Sequence, residues 1–230
     1  KKYQRVMGSF GQVSSIFTYM FIKLVVLTQS VKNHTDIDHA VRVLKAESQA
    51  LEVLSQHVDD NFSNAVETVH TMKQSGQGYA RLIVAGIGKS GHVARKIAAT
   101  MASTGTPSYF VHPGEASHGD MGMITEKDTV LMLSNSGENS ELSDLIHYTR
   151  RYDITLIAMT SNPDSTLAKY ADIVLLLPKV GEVCPNGLAP TTSTTMMLAY
   201  GDALAIALLE RMGLTPEQYK VFHPGGKLGQ

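Results

Sequence analysis

Five short apolar runs, Leu82 to Ala85, Tyr109 to Val111, Thr129 to Leu133, Thr155 to Met159 and Ile173 to Leu177, alternate with stretches of helical spacing. Runs this short, apolar on both sides, bury both faces, which calls for a parallel sheet covered by helices above and below. The intervening helices read as Gly91 to Ser103, Ser140 to Arg151, a short Ser165 to Tyr170 and a long final Thr192 to Met212. Two more precede the sheet. One starts at Asp36, with Val41, Leu44, Ser48, Leu51 and Val58 near one face; the other is capped at Asp60 or Asn61, repeats Phe62, Val66, Val69 and Met72, and ends at Gly76 and Gly78. The expected fold is α/β: a three-layer αβα sandwich with a five-stranded parallel sheet, preceded by N-terminal helices.

The chain has 230 residues, 43% of them apolar, enough for one such domain over 36–230 with an arm over 1–35. In the arm, Lys1, Lys2 and Arg5 precede the apolar run Ile16 to Leu27. The run is too short to span a membrane, Lys23 interrupts it and no small-residue cleavage site follows, so a packed arm or oligomer contact is expected and no membrane partner. A formal charge of −1 without a basic run gives nucleic acid little electrostatic footing, and none is expected as a partner. The single cysteine, Cys184, excludes an internal disulfide framework and fits a reducing cytoplasm. Gly225-Gly226-Lys227-Leu228-Gly229 would serve as an exit turn.

Ligands of open parallel sheets bind beyond the carboxyl ends of the strands, and the loops there are polar. Ser134-Asn135-Ser136-Gly137-Glu138-Asn139-Ser140 places hydroxyls and free amide donors where a strand hands over to a helix, which makes a cradle for a phosphate. With so little net charge, a small anion would be held by oriented dipoles. Gly86-Ile87-Gly88-Lys89-Ser90-Gly91 satisfies G-x-G-x-x-G, but a dinucleotide site wants an acid at the end of the next strand, and that strand ends Phe110-Val111-His112 with Glu115 only further along. Ile83 occupies the position of the first glycine of a Walker loop, so neither a dinucleotide nor a nucleoside triphosphate is the expected ligand. Lys89 is either a solvated lysine at a helix start or, between glycines, an ammonium beside an oxygen that gains charge during reaction. His112-Pro113-Gly114-Glu115-Ala116-Ser117-His118-Gly119-Asp120 holds imidazoles and carboxylates at a spacing that matches no compact metal motif; no metal is expected, and His118 could orient or ionise a sugar hydroxyl. Ahead of the last long helix, Gly181 to Pro190 leads into Thr191-Thr192-Ser193-Thr194-Thr195, more hydroxyls than capping needs. His223 lies in a turn beyond that helix, where it could fold back or reach a neighbouring subunit.

Together these segments, with Thr104-Gly105-Thr106-Pro107-Ser108, Cys184-Pro185-Asn186-Gly187-Leu188-Ala189-Pro190-Thr191 and His223-Pro224-Gly225-Gly226, resemble the sugar isomerase (SIS) domain, and more closely the bacterial D-arabinose 5-phosphate isomerases, over about Asp36 to Gly229. The resemblance implies interconversion of D-ribulose 5-phosphate and D-arabinose 5-phosphate, supplying the eight-carbon acid Kdo of lipopolysaccharide, without a required metal or organic cofactor. It places catalysis on Lys89, Glu141, Glu182 and His223, with His118 a further candidate. It places the sugar phosphate on Gly88, Ser90, Ser134, Asn135, Ser136, Ser140, Thr191, Thr192 and Ser193. It also implies a homo-oligomer, dimer or tetramer, in the cytoplasm. Many such isomerases continue into paired cystathionine-synthase-type (CBS) modules after the glycine turn, whereas the sequence here ends at Gln230.

Aldose–ketose isomerisation needs a base that moves a proton between adjacent carbons through an enediol. Glu182, its pKa raised by partial desolvation, is expected to be that base, with Glu141 assisting hydroxyl exchange, or the reverse. Lys89 would stabilise the oxyanion, and His223, from its own chain or donated across a subunit interface, would open the ring or shuttle the oxygen proton. Glu141 also suits a helix's first turn for the dipole alone. Two other readings remain open: a SIS module that senses a sugar phosphate without catalysis, and an isomerase of another phosphosugar.

Overall fold

The computed structural model describes residues 35–75 and 79–225. The apolar run of the expected arm, the helix-ending Gly76 and Gly78, and the exit turn from Gly226 onward lie outside these residues. The chain divides into two compact units, 1–46 and 47–230. In the first, residues 35–46 are helical.

The second unit opens with helical residues 47–56 (α1). Ala50 and Leu54 are its core contacts; Val58, expected on the buried face, is 46% exposed. The cap of α2 (Asp60–Ser75) is Asp59 rather than Asp60 or Asn61, because its carboxylate accepts the Asn61 N–H at 3.0 Å, an otherwise orphaned donor. There follow β1 (Leu82–Gly86), α3 (Gly88–Ser103), β2 (Ser108–Val111), α4 (Pro113–Ala116), β3 (Thr129–Leu133), α5 (Ser143–Arg151), β4 (Thr155–Thr160), α6 (Thr166–Tyr170), β5 (Ile173–Leu176), α7 (Thr192–Met212) and α8 (Pro216–Val221).

All the strands are parallel, in the order β2-β1-β3-β4-β5. Their side chains alternate between two core layers, as the two-residue period of a strand requires. Leu82, Val84, Leu131, Leu133, Ile157 and Met159 meet α2, α3 and α7, whereas Ile83, Ala85, Val130, Met132, Leu156 and Ala158 meet α5 and α6. By length and composition α7 could cross a membrane, but half of it is buried, with Met197, Tyr200, Leu204 and Leu208 in the first layer.

The helices α3 and α7 run side by side in the same direction. Ser90 Oγ lies 3.7 Å from Met197 Sδ, and Lys96 pairs with Asp202. At the other end Lys73 Nζ reaches both Gly105 O (2.7 Å) and Met212 Sδ (2.8 Å), so α7 ends just ahead of β2, at the amino edge of the sheet. Both helices therefore begin at the carboxyl edge.

Candidate functional site

From β1 the chain crosses to β2 on one side and then returns to β3 on the other, and in such sheets a crevice opens where the direction reverses. Gly86 and Leu133 are register partners, so the segments that follow them leave from strands about 4.8 Å apart. Two of the expected phosphate-binding segments, 88–90 and 134–136, thus adjoin one another.

The first is not a loop. The helix starts at Gly88 rather than Gly91, and Gly88, Lys89 and Ser90 form the opening turn of α3. The glycines permit this because strand end and helix start cross closely: a Cβ at Gly91 would stand 2.7 Å from Gly86 O. No side chain caps α3, so the first-turn N–H groups face the crevice without an intrahelical partner. Lys89 is exposed and makes no ion pair among the described residues.

In the second segment Ser134 turns inward. Its hydroxyl donates to Asn139 Oδ1 at 2.7 Å and accepts the Gly137 N–H at 3.0 Å, and the residue is 3% exposed. The loop closes on Ser134, while Asn135, Ser136 and Ser140 stay exposed. Neighbouring loops brace it. Asn135 O accepts from Thr160 Oγ1 (3.1 Å) and Ser161 Oγ (2.9 Å), and Glu138 accepts the Thr166 N–H and hydroxyl, both at 2.8 Å. The two bonds from Thr166 hold the Glu138 carboxyl below its ordinary value. Thr160 and Ser161 lie outside the expected site segments, whereas Asn139 lies within the expected cradle, where an Asn five residues after Ser134 in a hydroxyl-rich turn is a signal for local side-chain bonding. Glu141 follows, exposed, in a short 3-10 turn at Ser140–Leu142 that leads into α5 on the opposite face of the sheet from α3.

Glu182 sits at the start of α7. Its Oε2 accepts the Thr191 N–H at 2.7 Å, the Thr191 hydroxyl at 3.1 Å and the Ser193 N–H at 3.3 Å, and Oε1 accepts the Ser193 hydroxyl. Thr191 itself provides no side-chain cap, so this carboxylate caps the helix. The expectation of a raised pKa is corrected here. Burial pushes the Glu182 carboxyl up, but the bonds from Ser193 and Thr191 outweigh it and leave the group below the usual carboxylate value. Thr192, 2% exposed, accepts the Val183 N–H at 3.1 Å. The loop between is wound around Cys184, whose thiol is held below its ordinary value by the N–H groups of Ala189, Leu188, Asn186 and Gly187.

The segment with His118 is ordered by local structure: His112 caps α4 through Nδ1 at 3.2 Å from the Gly114 N–H, and a 3-10 turn follows at Asp120–Met123. His118 is exposed. His223 is placed elsewhere. Its ring stacks on Tyr219 at 4.2 Å, and Tyr219 and Lys220 line a cleft with Leu209 and Leu214 at the far end of α7. Thr192 and Leu209 are separated by about 25 Å of helix. The structure thus brings Gly88, Lys89, Ser90, Asn135, Ser136, Glu182 and the start of α7 to the carboxyl edge of the sheet, with Glu141 opening the neighbouring helix, and keeps His223 with the other end of α7.

Comparison with known proteins gives a SIS domain match over residues 78–207. Two curated relatives named arabinose 5-phosphate isomerase KdsD are similar: that of Yersinia pestis is 52% identical over 189 residues, 82% of this chain and 56% of its own length, and that of Pseudomonas aeruginosa is 53% identical over 194 residues, 84% and 58% respectively. The chain therefore spans just over half the length of these relatives. Among solved structures, Escherichia coli CFT073 c3406 in complex with arabinose 5-phosphate superimposes with a TM-score of 0.76 at 39% identity, over 83% of this chain and 98% of that one.

Proposed function

The chain belongs to the SIS-domain family, and on that premise we propose that it is an aldose–ketose isomerase interconverting D-ribulose 5-phosphate and D-arabinose 5-phosphate. The observation that carries this reading is the Glu182 carboxylate, held ionised at a helix start on the same edge as two sets of uncharged anion donors. A module that only sensed a sugar phosphate would need the donors and not the base. The named activity of the relatives and the ligand of the c3406 structure support the choice of substrate.

In the proposed reaction the dianionic headgroup takes the first-turn N–H groups of α3 and the outward donors of Asn135 and Ser136. Glu182 removes a proton from the carbon next to the carbonyl; the C–H electrons form the enediol double bond, and Glu182, after its proton has exchanged with solvent, delivers a proton to the adjacent carbon. Lys89 stabilises the developing oxyanion, and Glu141 exchanges the hydroxyl proton. His223 opens the sugar ring from a second copy of the chain in a homo-oligomer. The chemistry is proton transfer alone and calls on neither metal nor organic cofactor. The enzyme acts in the cytoplasm, and its product feeds Kdo synthesis.

Incubation with ribulose 5-phosphate in deuterated water tests the assignment. Deuterium should enter arabinose 5-phosphate, and Glu182→Gln should lower turnover by about 100-fold or more while sugar-phosphate binding persists. Binding without exchange in the unaltered protein would overturn the reading in favour of a sensor, and wild-type turnover by Glu182→Gln would remove Glu182 from the mechanism.

A further inference from the structure

We infer that Thr191 and Ser193 are positioning residues, which hold the Glu182 carboxylate on the first turn of α7 and do not themselves take the substrate. The inference rests on the reading of Glu182 as the carbon base. The hydroxyl run at the start of α7 looks like a second phosphate cradle in the sequence, but the donors of Thr191 and Ser193 are already engaged. The Thr191 N–H and hydroxyl and the Ser193 N–H and hydroxyl all end on Glu182, and Thr192 Oγ1 is engaged with the Val183 N–H. Thr192 and Ser193 are 2% and 3% exposed, so neither can reach a sugar phosphate unless this loop is dismantled.

The distribution of the bonds also selects the reacting atom. Oε2 accepts three donors and has little capacity left, whereas Oε1 accepts only the Ser193 hydroxyl. Oε1 is then the oxygen that receives the carbon-bound proton as the C–H bond breaks, exchanges it with solvent, and delivers a proton to the neighbouring carbon. Because the carboxylate is fixed to a helix buried along half its length, its orientation is set before substrate arrives. Burial and hydrogen bonds from Ser193 and Thr191 are the leading influences on its ionisation, with no charged side chain among them. The titratable neighbour on its own loop, Cys184, is occupied with that loop's N–H groups.

The test is the pH profile of kcat/KM for Ser193→Ala and Thr191→Val, with Ser193→Thr as the conservative control. A base that has lost one donor is protonated at higher pH, so the acid limb should move up by about one pH unit in each variant, with kcat on the plateau reduced about tenfold and KM within about threefold of the parent. Ser193→Thr should return the limb towards its original place. A limb that stays where it was while KM rises about tenfold would overturn the inference and return these hydroxyls to substrate binding. Thr191→Val, at a partly buried position, carries the test if Ser193→Ala does not fold. Glu182→Gln separates the two levels: activity in that variant defeats the base assignment, whereas an inactive Glu182→Gln with unmoved limbs in the other variants defeats only the positioning role.

Discussion

At the scale of single residues, the phosphate loop depends on Gly137. Its φ of +68° lies in the left-handed region, and a Cβ there would stand 2.1 Å from Ser165 Oγ and 2.5 Å from Ser165 Cβ. Ser165 cannot yield cheaply, because its hydroxyl donates to Asn162 O at 2.7 Å and accepts the Ala168 N–H at the start of α6. Gly137→Ala should cost about 2–4 kcal/mol in urea unfolding and raise KM for the sugar phosphate, since the turn that aims Asn135 and Ser136 outward closes on Gly137. Unfolding within about 0.5 kcal/mol of the parent would mean that the loop is not braced by α6. The composition of this loop is legible in the sequence as a set of donors. Which donors face outward is not, because residue type does not distinguish Ser134, whose hydroxyl is engaged by Asn139 and the Gly137 N–H, from Ser136, whose hydroxyl accepts the Glu138 N–H at 3.3 Å. The same holds for Glu182: nothing in the spacing to Thr191 reveals that the hydroxyl run serves the carboxylate.

At the scale of elements, the strands are readable because each is apolar on both faces, and their observed limits fall within one residue of the expected ones. Helix boundaries are harder where glycine has two uses. In α3 it signals a loop, while the close crossing of Gly91 over Gly86 in fact requires it inside the helix. Helix α8 is too short for apolar periodicity to reveal, and its readable signal is the reciprocal capping of Thr215 and Gln218. Junctions between elements are set by contacts too distant in sequence to see. Arg150 at the end of α5 forks onto Asp172 ahead of β5 at 2.9 and 2.7 Å, and Asp172 also accepts the N–H of Leu156 in β4 at 2.7 Å. Burial raises the Asp172 carboxyl, but the bonds from Arg150 and Leu156 outweigh it and hold it below its usual value. A carboxyl depressed in the folded state stabilises the fold above its unfolded pKa, and that contribution is lost as pH falls through the folded one. Asp172→Ala leaves the buried Leu156 N–H without its acceptor and should cost about 1–3 kcal/mol at neutral pH. The gap from the parent, followed by urea midpoints, should shrink as pH drops below about 4. A constant gap down to that range would show that packing, not the ionised pair, holds the junction.

At the scale of the whole molecule, the parallel course of α3 and α7 puts two helix starts at the carboxyl edge and leaves His223 stacked on Tyr219, which shares a cleft with Leu209, with about 25 Å of α7 between Leu209 and Thr192. If His223 opens the sugar ring, a second copy of the chain must present it, and neither copy alone holds a complete site. Two inactive variants then become complementary. In a mixed pair of Glu182→Gln and Glu182-bearing His223→Ala chains, one site takes both defects, and the other takes an intact Glu182 from its own chain and an intact His223 from the other. After subunit exchange at equal amounts, half of the pairs are mixed, so about a quarter of the parent turnover should return. Turnover no greater than the sum of the two variants assayed separately, with exchange confirmed by differently tagged chains, would place His223 outside the reaction or require α8 to swing across its own chain. The size of the recovery also separates assemblies: a site closed by one reciprocal pair gives the same quarter in a dimer and in a tetramer built of such pairs, because each site depends on only two chains.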